Sequence, residues 1–306
     1  MNRTSAPANH REGWRQFVAA AALLTTACTS TAPVTAPGAP APLSVPADGK
    51  VPVAFLLSPG AEVVDFAGPW GVFEYADPEG AENPFTLFTV AEQKEPFAVS
   101  GGMVVVPNHS FADAPQPRVI VVPAMGPPSL AMLDWLRRTA PRVDLVMSVC
   151  NGSFVLAEAG LLAGRKATSH HGALSMLAAS HPDVEVIRGA RFVEDGPVAT
   201  AGGLTSGTDL ALRVVERYLG RAAAERTAFH LEYQGQGWKD AASNHVYRPR
   251  PLLTGPVPRC PICEGELDRA TVPPQLRADF DGRTYFFCCA DCKALFEKSP
   301  AKFAQP

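Results

Sequence analysis

The sequence predicts an α/β protein, a parallel sheet with helices on both faces, followed by a small cysteine-rich module. Three observations predict it. Short, uninterrupted apolar runs alternate with amphipathic segments between residues 50 and 247. One such run ends at Cys150, leaving room only for a tight turn before helical spacing begins. Five of the seven cysteines fall in the last fifty residues, where they form pairs rather than scattered singles.

Taken in order, the elements begin with an N-terminal targeting pattern. Arg11 and Arg15 precede the apolar run Phe17–Leu24, which has the length of a signal-peptide core rather than of a membrane span. Thr25-Thr-Ala27-Cys28 follows, then a Pro/Ala/Thr-rich stretch expected to be a disordered tether over 29–49. Residues 1–28 therefore read as a signal segment. The position of Cys28 resembles the lipidated cysteine of bacterial lipoproteins, which implies export to the cell envelope and membrane contact only through that anchor; Thr25 replaces the usual aliphatic residue three places earlier, so cleavage without lipidation is the alternative.

Val51–Leu57, Arg118–Pro123 and Asp144–Val149 are continuous apolar runs of the kind that buried parallel strands require. Val184–Ile187 and Pro197–Thr200 are weaker strand candidates. Ser129–Arg138 carries a polar N-cap and helical apolar spacing; Ser206–Tyr218 is a second strong helix, ended by Gly220. With 306 residues, 46% of them hydrophobic, the chain is long enough for a sizeable core and about two domains. A net charge of −3 without a block of like charges excludes a nucleic-acid footprint.

Cys150-Asn151-Gly152 forms the turn between a strand and a helix. A nucleophile on such an elbow faces the first amides of the helix, which favour a thiolate and can hold a developing oxyanion. The competing reading is a buried structural cysteine. Asp65 stands before Phe-Ala-Gly-Pro69, where it can transfer protons or simply cap the next helix.

Pro59-Gly-Ala-Glu-Val-Val-Asp65-Phe-Ala-Gly-Pro69, Ser148-Val-Cys150-Asn-Gly-Ser, Lys166-Ala-Thr-Ser-His170 and Gly203-Leu-Thr-Ser-Gly-Thr-Asp209 resemble the PfpI-type, class I glutamine-amidotransferase-like superfamily. The similarity covers about 50–247 and points to the branch of isonitrile hydratases and the amidotransferase-like domains of AraC-type regulators. It implies a flavodoxin-like three-layer sandwich, usually a homodimer, acting on a small molecule without a cofactor in that domain. It also implies Cys150 as nucleophile and Asp65 as proton shuttle, hydrating a small C–N electrophile. His170 matches the family's Thr-His position and could orient Asp65 or bind substrate; the bland reading is a satisfied structural histidine. Asn151, Gly152, Ala124, Met125, Gly126 and His171 are the candidate oxyanion and pocket residues.

Three departures stand out. Asn151 replaces the histidine of PfpI-like proteases, so protease chemistry is not expected. Val122-Pro-Ala-Met-Gly126 replaces the usual Gly-Gly of the oxyanion loop, and His171 stands where the branch carries tryptophan. Asp209 is expected to anchor the Ser206 helix rather than to act chemically.

A Pro-rich linker (248–257) leads to the cysteine pairs Cys260-Pro-Ile-Cys263 and Cys288-Cys289-Ala-Asp-Cys292. Pairs separated by 25 residues suit a four-thiolate metal site; disulfide pairing is the alternative in an exported chain. Asp281-Gly-Arg-Thr-Tyr-Phe-Phe-Cys288, with Cys292, Phe296 and Pro300, resembles the YHS domain, a treble-clef-like metal module covering 258–306. The resemblance implies Cys263, Cys288 and Cys292 as ligands, with Cys260 completing the set and Cys289 in a serine-like place as an extra thiol. Zinc fits four thiolates, and copper(I) fits soft ligands. The whole reads as an envelope hydratase- or hydrolase-like enzyme fused to a metal module. The alternative is a non-enzymatic protein that binds or senses metal or redox stress.

Overall fold

A computed structural model describes residues 40–254 and 257–305. The expected signal segment, Cys28 and most of the expected tether lie outside these residues. Among the described residues no helix is long and apolar enough to cross a membrane.

Seven strands form the central sheet: β1 (Val51–Leu56), β2 (Phe85–Ala91), β3 (His109–Ser110), β4 (Val119–Val122), β5 (Leu145–Ser148), β6 (Phe192–Asp195) and β7 (Val198–Ala201). Their order is β6-β7-β5-β4-β1-β2-β3. All pairings are parallel except the β6–β7 hairpin at one edge. The strands alternate their side chains between two cores. Val53, Phe55, Val119, Val121, Leu145 and Met147 face one core, and Ala54, Leu56, Ile120, Val122 and Val146 face the other.

The first core is covered by helices α1 (Val63–Glu74), α5 (Ser206–Leu219) and α6 (Arg221–His230), through Phe66, Phe73, Leu210, Val214 and Ala224. The second is covered by α2 (Leu130–Thr139) and α3 (Gly152–Glu158), through Leu133, Trp135, Leu136 and Val155. Ser129 caps α2 by accepting from the Met132 N–H at 3.1 Å, and Gly220 at φ 85° ends α5. This is the predicted doubly covered parallel sheet.

Three details differ from the sequence expectations. Strands β2, β3 and β6 were missed because polar residues interrupt their apolar pattern: Thr86 and Thr89 in β2, His109 and Ser110 in β3, Glu194 and Asp195 in β6. Val184–Ile187 contributes only Glu185–Val186, paired with Lys166–Ala167 outside the main sheet. Within the expected tether, the Leu43 N–H donates to the Arg217 carbonyl (2.8 Å) and Leu43 and Val45 pack on the first core, so its last residues are ordered.

The C-terminal module has a hairpin, β8 (Arg277–Phe280) with β9 (Arg283–Phe286), and helices α7 (Ala290–Lys298) and α8 (Pro300–Phe303). Its core gathers Tyr285, Phe287, Phe296 and Phe303 around Cys260 and Cys292. Met176 and Ala179 of helix α4 (Leu174–Ser180) pack against the same cluster.

Candidate active site and candidate metal centre

The chain runs from β1 outward to β2 and β3, then returns past β1 to β4 and β5, so the loops after β1 and β4 part at this switch point. Asp65, in the first turn of α1, meets the loop after β4 there. Its Oδ2 accepts the Ala124 N–H at 2.9 Å, while Oδ1 is buried without a hydrogen-bond partner. The N-cap of α1 is Glu62, so Asp65 does not cap its own helix. Asp65 is fully buried, and burial pushes its carboxyl up to about 7. The Ala124 amide opposes that shift and the Glu62 charge adds to it.

Cys150 occupies the elbow between β5 and α3 with φ 58°, a left-handed conformation that costs a non-glycine residue about 1 kcal/mol or more. The surroundings hold the strained peptide from both sides. Its N–H donates to the carbonyls of Ala201 (3.2 Å) and Gly202 (2.9 Å) at the end of β7. Its carbonyl accepts from Ser169 Oγ at 3.0 Å and Ser153 Oγ at 3.3 Å. Gly152 allows the elbow to sit against β4: a Cβ there would lie 2.2 Å from the Val122 oxygen and 2.8 Å from that of Pro123. Gly152→Ala is therefore expected to destabilise the protein by at least about 2 kcal/mol, read as a lowered urea midpoint at unchanged slope.

The expectation of a resting thiolate is not met. Burial, and then the Asp65 charge, push the Cys150 thiol up to about 11, outweighing N–H groups of Asn151 and Leu204 that point at the sulfur. Helix α3 spans only seven residues, too short to add much field. The Gly152 amide is bound to the Val149 carbonyl and the Ala124 amide to Asp65, so neither is free to hold an oxyanion. Leu204, which sequence reasoning missed, supplies a sulfur-facing amide from a left-handed residue at φ 46°. The preceding pair Gly202-Gly203 was the available signal. Met125 packs against both cores beside the sheet end, and Ala124 against the first. Gly126 lines a separate cavity with Leu57 and Phe97.

His170 does not orient Asp65, whose free oxygen has no partner. Its Nδ1 accepts the Gly172 N–H at 3.2 Å, and its ring lies against Gly203 and His171. Burial and His171 lower its pKa, which favours the uncharged ring that the accepting Nδ1 requires. Asp209 anchors α5, as expected: fully buried, it pairs with Arg191 at 2.6 Å and accepts the Trp238 N–H at 2.8 Å.

In the C-terminal module the sulfurs of Cys260, Cys263, Cys288 and Cys292 all lie within 4.8 Å of one another. Separations of 3.5, 3.5 and 3.9 Å from Cys288 to Cys263, Cys292 and Cys260 match the roughly 3.8 Å edge of a tetrahedron with 2.3 Å metal–sulfur bonds. All four thiols are free, so the arrangement fits chelation rather than two disulfides. Hydrogen bonds from Cys260 and Cys292 lower the Cys263 thiol, while its crowded neighbours Cys288 and Cys292 are pushed up. Ionised together, four sulfurs this close would need a cation between them, so the group could hold a metal ion. Cys289 is exposed outside the set; its sulfur accepts the Cys292 N–H as the N-cap of α7, the role a serine would have.

Comparison with known proteins agrees with both halves. Residues 51–217 match the DJ-1/PfpI family and residues 267–306 match the YHS domain. An isonitrile hydratase of Pseudomonas putida is 34% identical over 59% of this chain and 78% of its own length. The transcriptional regulator CdhR of Pseudomonas aeruginosa is 30% identical over 53% of this chain but only 48% of its own. A THiJ/PfpI protein from Pseudomonas syringae superposes with TM-score 0.55 at 28% identity, covering 65% of this chain and 83% of that one. Drosophila melanogaster DJ-1beta, at 21% identity and TM-score 0.52 over 61% of this chain and all of its own, shares the fold. Since the matched segment spans more than half of its length and the elbow lies within it, this chain belongs to the DJ-1/PfpI family.

Proposed function

We propose that the protein is a cysteine-dependent hydratase of isonitrile-like small molecules, carrying a structural thiolate metal centre. One observation carries the reading: a buried carboxyl with a free oxygen, which keeps its proton up to about pH 7, stands beside a strained thiol whose own pKa is raised. An isonitrile carbon accepts both a proton and a nucleophile, so this pair suits it without a resting thiolate. Asp65 donates its proton to that carbon as the Cys150 sulfur attacks it, and the thiol proton returns to Asp65. The product is a thioimidate, R–N=CH–S. Water adds to its carbon with a proton going to nitrogen, and Asp65 returns the hydroxyl proton to sulfur as the C–S bond breaks. Cys150 is restored and R–NH–CHO is released. The isonitrile hydratase relative supports this assignment. A resting thiol as unreactive as Cys150 argues against a redox sensor.

The pH profile tests the reading. Asp65 acts as an acid, so kcat/KM for isonitrile hydration is expected to fall about tenfold per unit as pH rises beyond about 7. Cys150→Ser should abolish formamide release. A rate that climbs with pH would instead indicate thiolate attack and sink the proton-donor role.

In the metal centre, Cys260, Cys263, Cys288 and Cys292 would hold zinc or copper(I). Such an ion would supply a crosslink between the Cys260 loop and the α7 cap. Export with lipidation at Cys28 and a homodimeric assembly belong to the same proposal. Fractionation of a Cys28→Ala variant and solution mass test them.

A further inference from the structure

A cavity of about 280 Å³ opens beside the elbow, at the small end of the range for ligand pockets. Two of its lining residues also touch Cys150. Ser169 Oγ donates to the Cys150 carbonyl, and the Leu204 N–H faces the sulfur. The far wall comes from beyond the family match: Asn244 and Tyr247 belong to the segment leading into the metal module. The Tyr247 ring stacks on His171 with centroids 4.4 Å apart and planes at 12°.

We propose that this cavity is the pocket for the substrate's nitrogen substituent, selective for a small uncharged polar group, and that its outer wall is held by Glu264 of the metal loop. The substrate class rests on the hydratase reading, whereas the link between cavity and elbow does not. Arg191, the charged lining residue, has no charge to spare. It pairs with Asp209 at 2.6 Å, donates to Thr205 Oγ1 at 3.0 Å, and donates to Asn244 Oδ1 at 3.4 Å. What remains for a ligand is hydroxyl, amide and imidazole groups, none of which gives an anionic substituent a fixed countercharge.

Glu264 stands between the ligand Cys263 and Gly265 in a left-handed conformation at φ 61°, with 7% of its surface exposed. Both of its oxygens accept from Arg188 at 2.9 Å, and Oε1 also accepts from Ser175 Oγ at 2.6 Å. Arg250 approaches to 3.7 Å. Ser175 and Arg188 directly follow and precede the wall residues Leu174 and Gly189. Arg248 packs so closely on Gly189 that a Cβ there would lie 2.8 Å from the Arg248 Cβ. The metal loop thus grips both pieces of the wall through one buried carboxylate, whose partners would be left as unpaired charges if it let go. Glu264 is a positioning residue.

The experiment compares alkylation of Cys150 by iodoacetamide and by N-benzyliodoacetamide in the full-length, metal-loaded protein at about pH 9, read on the Cys150 peptide by mass spectrometry. Tyr247→Ala is expected to raise the benzyl-to-small rate ratio at least about fivefold, and Tyr247→Trp to lower it. Glu264→Gln, with metal content and circular dichroism unchanged, should raise it at least about twofold. Arg188→Ala serves the same purpose should Glu264→Gln fail to fold. A ratio that ignores Tyr247 overturns the cavity as the route to Cys150. A ratio that responds to Tyr247 but to neither clamp variant overturns the role of Glu264. Labelling needs no turnover, so an absence of isonitrile hydration with shifted ratios refutes the substrate class alone.

Discussion

Asp65→Asn is expected to stabilise the protein at pH 8 while removing the proposed hydratase activity. The folded carboxyl binds its proton more tightly than the unfolded one, with a pKa of about 7 against 3.8. Below about pH 4 both states are protonated and folding bears no penalty. As pH rises through the window from 4 to 7 the unfolded chain ionises first, and stability is lost until the folded group ionises too. At about 1.4 kcal/mol per unit this loss has a ceiling near 4 kcal/mol above pH 7. Asparagine keeps the acceptor for the Ala124 amide but cannot become charged. Its own unpaired N–H groups cost part of the gain, leaving an expected increase of about 2 kcal/mol at pH 8 and none at pH 4.5. Urea unfolding at the two pH values measures it. Turnover should fall by about 10² to 10⁴. A variant that is equally stable at both pH values would mean that Asp65 is an ordinary carboxylate.

Removing a metal held by the four clustered cysteines is expected to unfold the C-terminal module while the sandwich stays folded. The module's apolar core consists of a handful of residues around two cysteines, too little to stabilise so short a segment alone. Thiolate–metal binding in comparable sites is worth about 10 kcal/mol or more in apparent terms, so it decides whether this segment folds. A strong chelator should make residues 258–305 sensitive to protease and collapse their amide protection, with residues 51–217 unaffected. Cys263→Ser should reproduce the effect. Cys289→Ser should not, because a serine hydroxyl accepts the Cys292 N–H equally well and the four ligands remain. Loss of metal from Cys289→Ser would show that the fifth thiol is a ligand.

Much of this protein is legible from local pattern. The strand at Val51, the Ser129-capped helix, the elbow at Cys150 and the paired cysteines each announce themselves within a dozen residues, because side-chain periodicity, capping and chelate spacing are short-range properties. The candidate residues Cys150 and Asp65 were identified by resemblance of their motifs, and the sheet brings them to one end. What their neighbourhoods do to them was not legible. Helix-end amides predict a thiolate, yet burial and the Asp65 charge reverse the outcome, and both depend on residues far away in the chain.

Residues 150 and 260–292 alone determine that a thiol stands on a strand-to-helix turn and that four thiols come in chelating pairs. Only the tertiary structure decides that Asp65 holds its proton up to about pH 7, that Leu204 rather than Ala124 offers its amide, and that Glu264 reaches Arg188 across 76 positions. The reason is physical. Periodicity and turn geometry are set by bonds between neighbours, whereas desolvation and charge pairing are set by whatever the fold packs within a few ångströms.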